Sequence, residues 1–385
     1  MKKIALLGST GSIGVQVLNV VSRHPDLFSI VSLAAGNNAR LFSHQVKTFR
    51  PAVAALANEE AFLSVKEDLP TGVEYFTGED AVLSAIVKEA DVVFVSVVGF
   101  LGLKCVLKAI EYKKPIALAN KESLCAGGEL VMARAKAAGV PIIPVDSEHS
   151  AIWQCLAFDS QKTCEKIVLT ASGGPFWKLP KEEFSTITKA RALAHPTWNM
   201  GAKITIDSAT LANKGLEIME AHHLFSAPLE KIDVVLHPES IVHSMATFSD
   251  GAMIAELSYP SMEIPIQLAL TYPNRIPSGV AQLDLPKLSA LHFHPVPEEK
   301  FPCFMLAKQA LKAGGVMPCV YSAANEAAVE AFLAERIAFC EISDYIALAL
   351  EKIPNTTPND YDILSQTALT ATAIVRSAIG DKLCP

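Results

Sequence analysis

Short apolar runs alternate with helix-length amphipathic stretches over the first 150 residues. The runs 3–7, 30–34, 53–57, 91–97, 116–119 and 142–145 are largely hydrophobic, and segments such as 14–22 and 126–138 carry helical spacing between them. A strand that is apolar on both faces must be covered on both faces. The pattern therefore predicts βαβ units in a doubly wound, Rossmann-type parallel sheet, forming a first domain over 1–150.

The pattern changes after Asp146. Residues 166–170, 203–206, 233–236, 244–248 and 253–257 predict strands, the last two joined as a hairpin around Ser249-Asp250-Gly251. Helical stretches are mixed among them, so 151–274 reads as an α+β catalytic domain, and its segment 172–202 is long enough to act as a lid. Residues 275–302 carry Pro277, Pro286, Pro295, Pro297 and Pro302 with little periodicity and predict an extended linker. The remainder, 303–385, repeats Ala, Leu and Glu at three-to-four spacing in 305–313, 323–337, 342–353 and 363–377, which predicts a C-terminal helical bundle.

Composition narrows the function classes. Half of the 385 residues are hydrophobic, ample for two or three cores, and the net charge of −7 lacks the basic excess of a nucleic-acid protein. The longest apolar candidate, 92–103, is interrupted by Ser96, Gly99 and Gly102 and falls short of the ~18–20 residues of a membrane helix. The N-terminus enters an apolar strand within four residues and has neither a signal-peptide nor a transit-peptide pattern. Eight cysteines (105, 125, 155, 164, 303, 319, 340 and 384) are scattered with no CxxC pair. They read as reduced thiols, and the expected compartment is the cytoplasm.

The opening KKIALLGSTGSIG runs a strand into Gly8, Gly11 and Gly14 ahead of a helix. Glycines there let the backbone turn and approach a pyrophosphate at a helix N-terminus, although Thr10 stands where the usual dinucleotide motif has its second glycine. The next strand ends Ala34-Ala35-Gly36-Asn37-Asn38, without the carboxylate that grips the ribose of NAD. That favours NADP, with Asn37, Asn38 and Arg40 as donors to a 2′-phosphate; two asparagines making a turn is the alternative.

Asp146 and Glu148 follow the run 142–145, at the carboxyl end of a parallel strand where ligands bind. Taken as extended chain, both point the same way and suit a hard divalent cation such as Mg2+ or Mn2+. Asn120-Lys121-Glu122 occupies the same kind of position after 116–119; Lys121 suits a substrate oxygen, and Asn120 also suits a helix cap. The stretch 208–222 predicts one helix with Thr210, Asn213, Glu217 and Glu220 on one face and Asp207 or Ser208 as its cap, which sets Ser208 and Lys214 at a phosphate-binding N-terminus. Helical spacing alone leaves Glu217 and Glu220 both open as a third acidic ligand. Ser172-Gly173-Gly174-Pro175 offers a hydroxyl and a glycine turn, and His195 a further phosphate or hydroxyl contact. His149, His222, His223, His237 and His243 read as structural. A semialdehyde dehydrogenase would need a nucleophilic cysteine with a base partner, and neither Cys125 nor Cys155 has one in the sequence pattern.

Taken together, GSTGSIG, AAGNN, ALANKESL, VDSEHSAI, TASGGPF, HPTWNMGAKITIDSATLANKGLE and HPESIVHS, in this order over nearly the whole chain, resemble the 1-deoxy-D-xylulose 5-phosphate reductoisomerase family. The resemblance implies rearrangement of a metal-chelated sugar phosphate followed by reduction with NADPH, giving 2-C-methyl-D-erythritol 4-phosphate in the non-mevalonate route to isoprenoid precursors. It implies metal ligation by Asp146, Glu148 and Glu217, and catalytic roles for Lys121, Glu148 and His195. Substrate contacts fall on Lys121, Ser147, Glu148, Ser172, His195, Trp198, Ser208, Asn213, Lys214 and Glu217. Cofactor contacts fall on Thr10, Gly11, Ser12, Ile13, Gly36, Asn37, Asn38, Asn120, Glu122 and Gly201. Asn37 departs from the basic residue the family often carries after that glycine. The resemblance also implies a homodimer, with 253–271 at the interface.

Overall fold

The structure, a computed structural model, describes residues 1–157 and 163–383; Cys384, expected to be a reduced thiol, lies outside the described residues. The chain forms two compact units. The first comprises Met1–Ser123, Val131–Ser147 and Ser261–Val280. Its sheet contains β1 (Lys2–Leu7), β2 (Phe28–Ala35), β3 (Val53–Leu56), β4 (Glu74–Thr77), β5 (Val92–Val95), β6 (Ile116–Leu118) and β7 (Ile142–Pro144). The strands lie in the order β4-β3-β2-β1-β5-β6-β7, and every neighbouring pair is parallel. The doubly wound sheet expected from the apolar runs is thus present. β4 was not foreseen: it is a four-residue edge strand, EYFT, partly or fully exposed along its length, and lacks the apolar run of the inner strands.

Strand order reverses at β1, which lies between β2 and β5, so the carboxyl ends of β1 and β5 frame the crevice where this fold binds ligands. Gly8 closes β1 with φ +91, and a Cβ there would stand 2.5 Å from the Ser96 carbonyl oxygen after β5. A Cβ at Gly14 would stand 2.2 Å from the Gly8 carbonyl oxygen. These two glycines let the turn and the following helix, Ser12–Arg23, lie directly on the strand ends.

The expected domain boundary near 274 differs from the units observed. The helix Glu263–Thr271 packs on Ser12–Arg23, and Ile266, Ala269 and Leu270 enter the core formed by Ile4, Val17, Leu33 and Phe94. Arg23 pairs with Glu263 at 2.7 Å, and the Lys2 ammonium donates to the Leu270 carbonyl. The segment IPIQLAL has too little polar surface to stand in water, and burial in this core satisfies it. Half of the 253–271 stretch expected at a dimer interface is therefore already covered.

The second unit comprises Leu124–Leu130, Glu148–Pro260 and Ala281–Pro385. Its sheet is mixed: β8 (Cys164–Ala171), β9 (Ile232–Leu236), β10 (Val242–Phe248), β11 (Met253–Leu257) and β12 (His294–Pro295), in the order β11-β10-β8-β9-β12. β8 and β9 are parallel, and β10–β11 is the expected antiparallel hairpin. β12 arises inside the expected linker and covers the β9 edge. The C-terminal helices Pro302–Ala313, Met317–Leu333, Glu341–Lys352 and Tyr361–Leu383 pack together as expected.

Three local readings are corrected. Residues 203–206 are not a strand but part of the helix Ala202–Ala209, whose Ile206 is fully buried and whose Thr205 hydroxyl is satisfied by the Gly201 carbonyl. The stretch 208–222 is not one helix: a second, Ala212–Phe225, starts after Leu211, which sits in the left-handed region at φ 56. Leu211 takes the N-cap position with no side-chain cap, so neither Asp207 nor Ser208 caps that helix. Glu148 is not on extended chain either; it lies in the first turn of the helix Ser147–Leu156. Among the described residues, no helix is long and apolar enough to cross a membrane, and the seven described cysteines are free thiols.

Replacing Gly8 by Ala adds a methyl against the Ser96 carbonyl in a conformation L-residues avoid. The variant should lose more than about 2 kcal/mol in denaturant unfolding, and a loss under about 0.5 kcal/mol would show that the turn relaxes freely.

Candidate active site

In the first unit the glycine-rich loop leads into the N-terminus of Ser12–Arg23, whose N-cap Gly11 supplies no side chain and whose first turn holds no acid. The loop is tied from behind by Gln45, whose amide donates to the Ser9 carbonyl at 2.8 Å. After β2, Gly36, Asn37 and Asn38 are all exposed. Asn38 caps the helix Ala39–Phe49 by accepting from the Leu41 N–H at 3.1 Å. The turn-making alternative for the asparagines is thus realised at Asn38 Oδ1, while its Nδ2 is a donor by chemistry. A Cβ at Gly36 or at Gly201 would meet nothing within 4 Å.

Asn120 is a structural junction. Its amide donates to the carbonyls of Val97 at 3.0 Å and Gly99 at 3.1 Å and to Glu122 Oε2 at 3.0 Å, and its oxygen accepts from the Ser123 N–H at 3.0 Å. That last bond is the capping contact expected of Asn120, although the N-cap position itself belongs to Lys121. Lys121 is buried and pairs with Asp146 at 2.5 Å, and Asp146 also accepts from the Ser147 N–H at 3.0 Å. An ion pair between Lys121 and Asp146 was not foreseen; it brings two of the expected site residues together across the ends of β6 and β7.

In the second unit the helices Ser147–Leu156 and Ala212–Phe225 bring Glu148 and Glu217 to one buried ammonium. Lys214 Nζ donates to Glu148 Oε1 at 2.8 Å and to Glu217 Oε2, and Asn213 Nδ2 donates to Glu217 Oε1. The two carboxylates offer oxygens within 4.8 Å of each other. Burial alone would lower the Lys214 pKa, but the charges of Glu148 and Glu217 and their hydrogen bonds outweigh it and raise the pKa, so the ammonium stays charged. Glu220, the other candidate left open by helical spacing, is not one of the acids on Lys214 and lies instead beside His149. Its Oε2 lies 3.4 Å from His149 Nδ1, and both side chains are fully buried. His149 Nε2 donates to the Glu217 carbonyl at 2.9 Å, which fixes the turn of helix that carries Glu217.

A second cluster in the same unit joins the loop after β8 to the helix Ala202–Ala209. His195 Nε2 lies 3.0 Å from Ser172 Oγ and 3.1 Å from Ser208 Oγ. The glycine turn brings the loop against that helix, since a Cβ at Gly174 would stand 2.7 Å from the Ser208 carbonyl oxygen. The tautomer of His195 follows from its partners. Nδ1 accepts from the N–H groups of Thr197 at 3.1 Å and Trp198 at 2.9 Å, so the ring proton is on Nε2, aimed at the two hydroxyls. Trp198 stands edge-on to His243 with ring centroids 6.1 Å apart.

One feature carried no motif. Asp207, beside Ser208, is almost wholly buried and is held by Lys203 at 2.7 Å and by Asn325 Nδ2 at 2.8 Å. Asn325 comes from the distant helix Met317–Leu333, and its signal was a lone amide in the apolar run MPCVYSAANEAAV.

Comparison with known proteins gives a consistent result. Residues 4–128 match the family model described as 1-deoxy-D-xylulose 5-phosphate reductoisomerase. Residues 142–225 match its C-terminal domain, and 257–374 match a model described as DXP reductoisomerase C-terminal domain. The protein of that name from Geobacillus sp. (strain WCH70) is 49% identical over 354 residues, 91% of this chain and 93% of its own. The one from Geobacillus kaustophilus is 47% identical, covering 98% of this chain and 100% of its own. Among solved structures, the Zymomonas mobilis enzyme of that name in complex with NADPH superposes with a TM-score of 0.91 at 37% identity, covering 98% of this chain and 99% of that one. A DOX-P reductoisomerase in complex with NADPH, fosmidomycin and magnesium gives 0.93 at 35% identity, covering 99% and 98%.

Burial lowers the His195 pKa below the ordinary 6.5, so the ring is neutral at neutral pH and carries its proton on Nε2. Nitrogen NMR of the ligand-free protein should show the Nε2–H tautomer and a midpoint below 6.5. A midpoint above 7, or the Nδ1–H form, contradicts the assignment.

Proposed function

The chain belongs to the 1-deoxy-D-xylulose 5-phosphate reductoisomerase family, and from that premise we propose how its own residues perform the NADPH- and metal-dependent conversion of 1-deoxy-D-xylulose 5-phosphate. The product is 2-C-methyl-D-erythritol 4-phosphate, a precursor in the non-mevalonate isoprenoid pathway. The observation that carries the reading is the convergence of Glu148, from the helix Ser147–Leu156, and Glu217 on the Lys214 ammonium, with Ser208 at the end of the helix that precedes Lys214.

NADPH binds along Thr10, Gly11, Ser12 and Ile13, with the pyrophosphate on the uncapped helix N-terminus. Support comes from the close-packed glycines beneath the loop, and from Gly36 and Gly201, where a Cβ meets no protein atom and glycine leaves room for a ligand. Asn37 and the Nδ2 group of Asn38 take the 2′-phosphate, because no carboxylate after β2 repels it. Asn120 and Glu122 complete the contacts.

Asp146, Glu148 and Glu217 are the ligands of a Mg2+ or Mn2+ ion. The all-oxygen donor set fits such a cation, and the Lys214 ammonium marks where Glu148 and Glu217 already gather around positive charge. When bound, the cation supplies Lewis acidity toward the substrate's carbonyl and neighbouring hydroxyl oxygens. Ser172, Ser208, Asn213, Lys214 and His195 hold the phosphate, His195 donating from Nε2. Ser147 and Glu148 meet the carbon chain, Trp198 shuts water out, and Lys121 donates to a substrate oxygen while holding Asp146. The carbon skeleton breaks and re-forms one C–C bond to give a branched aldehyde. NADPH, when bound, would supply the hydride that, together with one proton, turns this aldehyde into the alcohol.

The protein acts as a cytoplasmic homodimer. The edge strand β11 supports the second part of this reading: it leaves Met253, Ile254 and Leu257 exposed, an apolar edge that a second copy covers.

Purified protein should oxidise NADPH only with 1-deoxy-D-xylulose 5-phosphate and a divalent cation, stop on addition of chelator, and use NADH less well. Turnover insensitive to chelator contradicts the metal assignment. Glu148→Gln should cut kcat by at least about a hundredfold, beyond the upper range for loss of mere outer-shell support, with an unchanged circular dichroism spectrum. Near-normal turnover removes Glu148 from the site.

A further inference from the structure

Lys214 occupies a position that two different partners can claim. It lies in the first turn of the helix Ala212–Phe225, the end where the helix dipole disfavours a cation and favours an anion. Its side chain is only 4% exposed, and its ammonium pairs with the carboxylates of Glu148 and Glu217. The hydroxyl–imidazole cluster of Ser172, His195 and Ser208, whose serine ends the helix before that of Lys214, has no charged group of its own, since His195 is neutral. A phosphate held there needs a cation, and the half-buried Glu148 and buried Glu217 carboxylates need one as well.

We propose that Lys214 is an internal counter-ion exchanged for the divalent cation: it neutralises Glu148 and Glu217 in the metal-free protein, and metal binding releases its ammonium to the substrate phosphate. The inference rests on the metal and phosphate reading above and adds a coupling to it. The physical basis is charge balance in a buried place. With Asp146 paired to Lys121, the charges of Glu148 and Glu217 remain to be compensated in a largely buried place, and the one Lys214 ammonium offsets one of the two. A divalent cation offsets both and leaves the ammonium uncompensated unless an anion takes the carboxylates' place. Metal and phosphate therefore favour each other's binding, and by linkage the effect is mutual.

The exchange makes a prediction opposite to that for a simple phosphate ligand. Mn2+ binding to the metal-free protein, followed by electron paramagnetic resonance, should be about tenfold tighter or more in Lys214→Met than in wild type, because a competing cation has been removed. Lys214→Arg keeps the charge and should stay within a few-fold of wild type. Equal or weaker Mn2+ binding by Lys214→Met overturns the proposal. Glu217→Gln separates the two readings: if it binds Mn2+ as tightly as wild type, the metal site itself is misplaced and the exchange falls with it. Should Lys214→Met fail to fold, calorimetry on wild type decides. Inorganic phosphate should bind several-fold tighter with Mg2+ present than without, and equal affinity overturns the coupling.

Discussion

A buried charge must be balanced, and in this chain two carboxylates meet at one ammonium. Glu148 and Glu217 come from separate helices, and Lys214 is the group that makes their proximity tolerable in the absence of a metal. Much of the neighbouring construction in the second unit follows from keeping those three groups in register. His149 braces the backbone of Glu217, and Asn213 donates to its carboxylate. The break at Leu211 lets Ala202–Ala209 present Ser208 independently of the helix that carries Lys214. Had 208–222 been one straight helix, as its polar spacing suggested, the serine and the lysine would be bound to a fixed helical offset.

The first unit solves a different constraint, that of bringing backbone close to a phosphate-bearing cofactor. Gly8 and Gly14 remove the side chains that would hold the loop off the strand ends, and the reversal of strand order between β2 and β5 opens the crevice there. Gln45 and Asn38 show how one helix secures both neighbouring segments: its N-cap orders the turn after β2, and its second turn clamps the Ser9 carbonyl. After β2, Gly36 is followed by the exposed amides of Asn37 and Asn38, with no carboxylate before the helix Ala39–Phe49 begins.

Most of the parallel sheet was legible because inner strands must be apolar on both faces. The failures had physical causes. The alternation Ile204-Thr205-Ile206 looks like a strand, but burial of Ile206 and an internal bond from Thr205 satisfy it as a helix. β4 was missed because an exposed edge strand has no apolar run. The helix Glu263–Thr271 was expected in the catalytic domain but clusters with the first unit, because hydrophobicity reports burial and does not identify the partner surface. The candidate site residues were named from recognisable blocks of sequence. The bond between Asn325 and Asp207 was not foreseen, since a buried amide–carboxylate pair across more than a hundred residues leaves no local pattern. The pairing of Lys214 with acidic side chains was equally invisible: helical spacing places Glu217 three residues on but says nothing of Glu148.

The most direct measurement is an anomalous difference map from crystals of the protein grown with Mn2+. The account predicts a peak bonded to carboxylate oxygens of both Glu148 and Glu217 at about 2.1 Å, with the Lys214 ammonium no longer bridging them. A peak elsewhere, with Lys214 still paired to both acids, would contradict it.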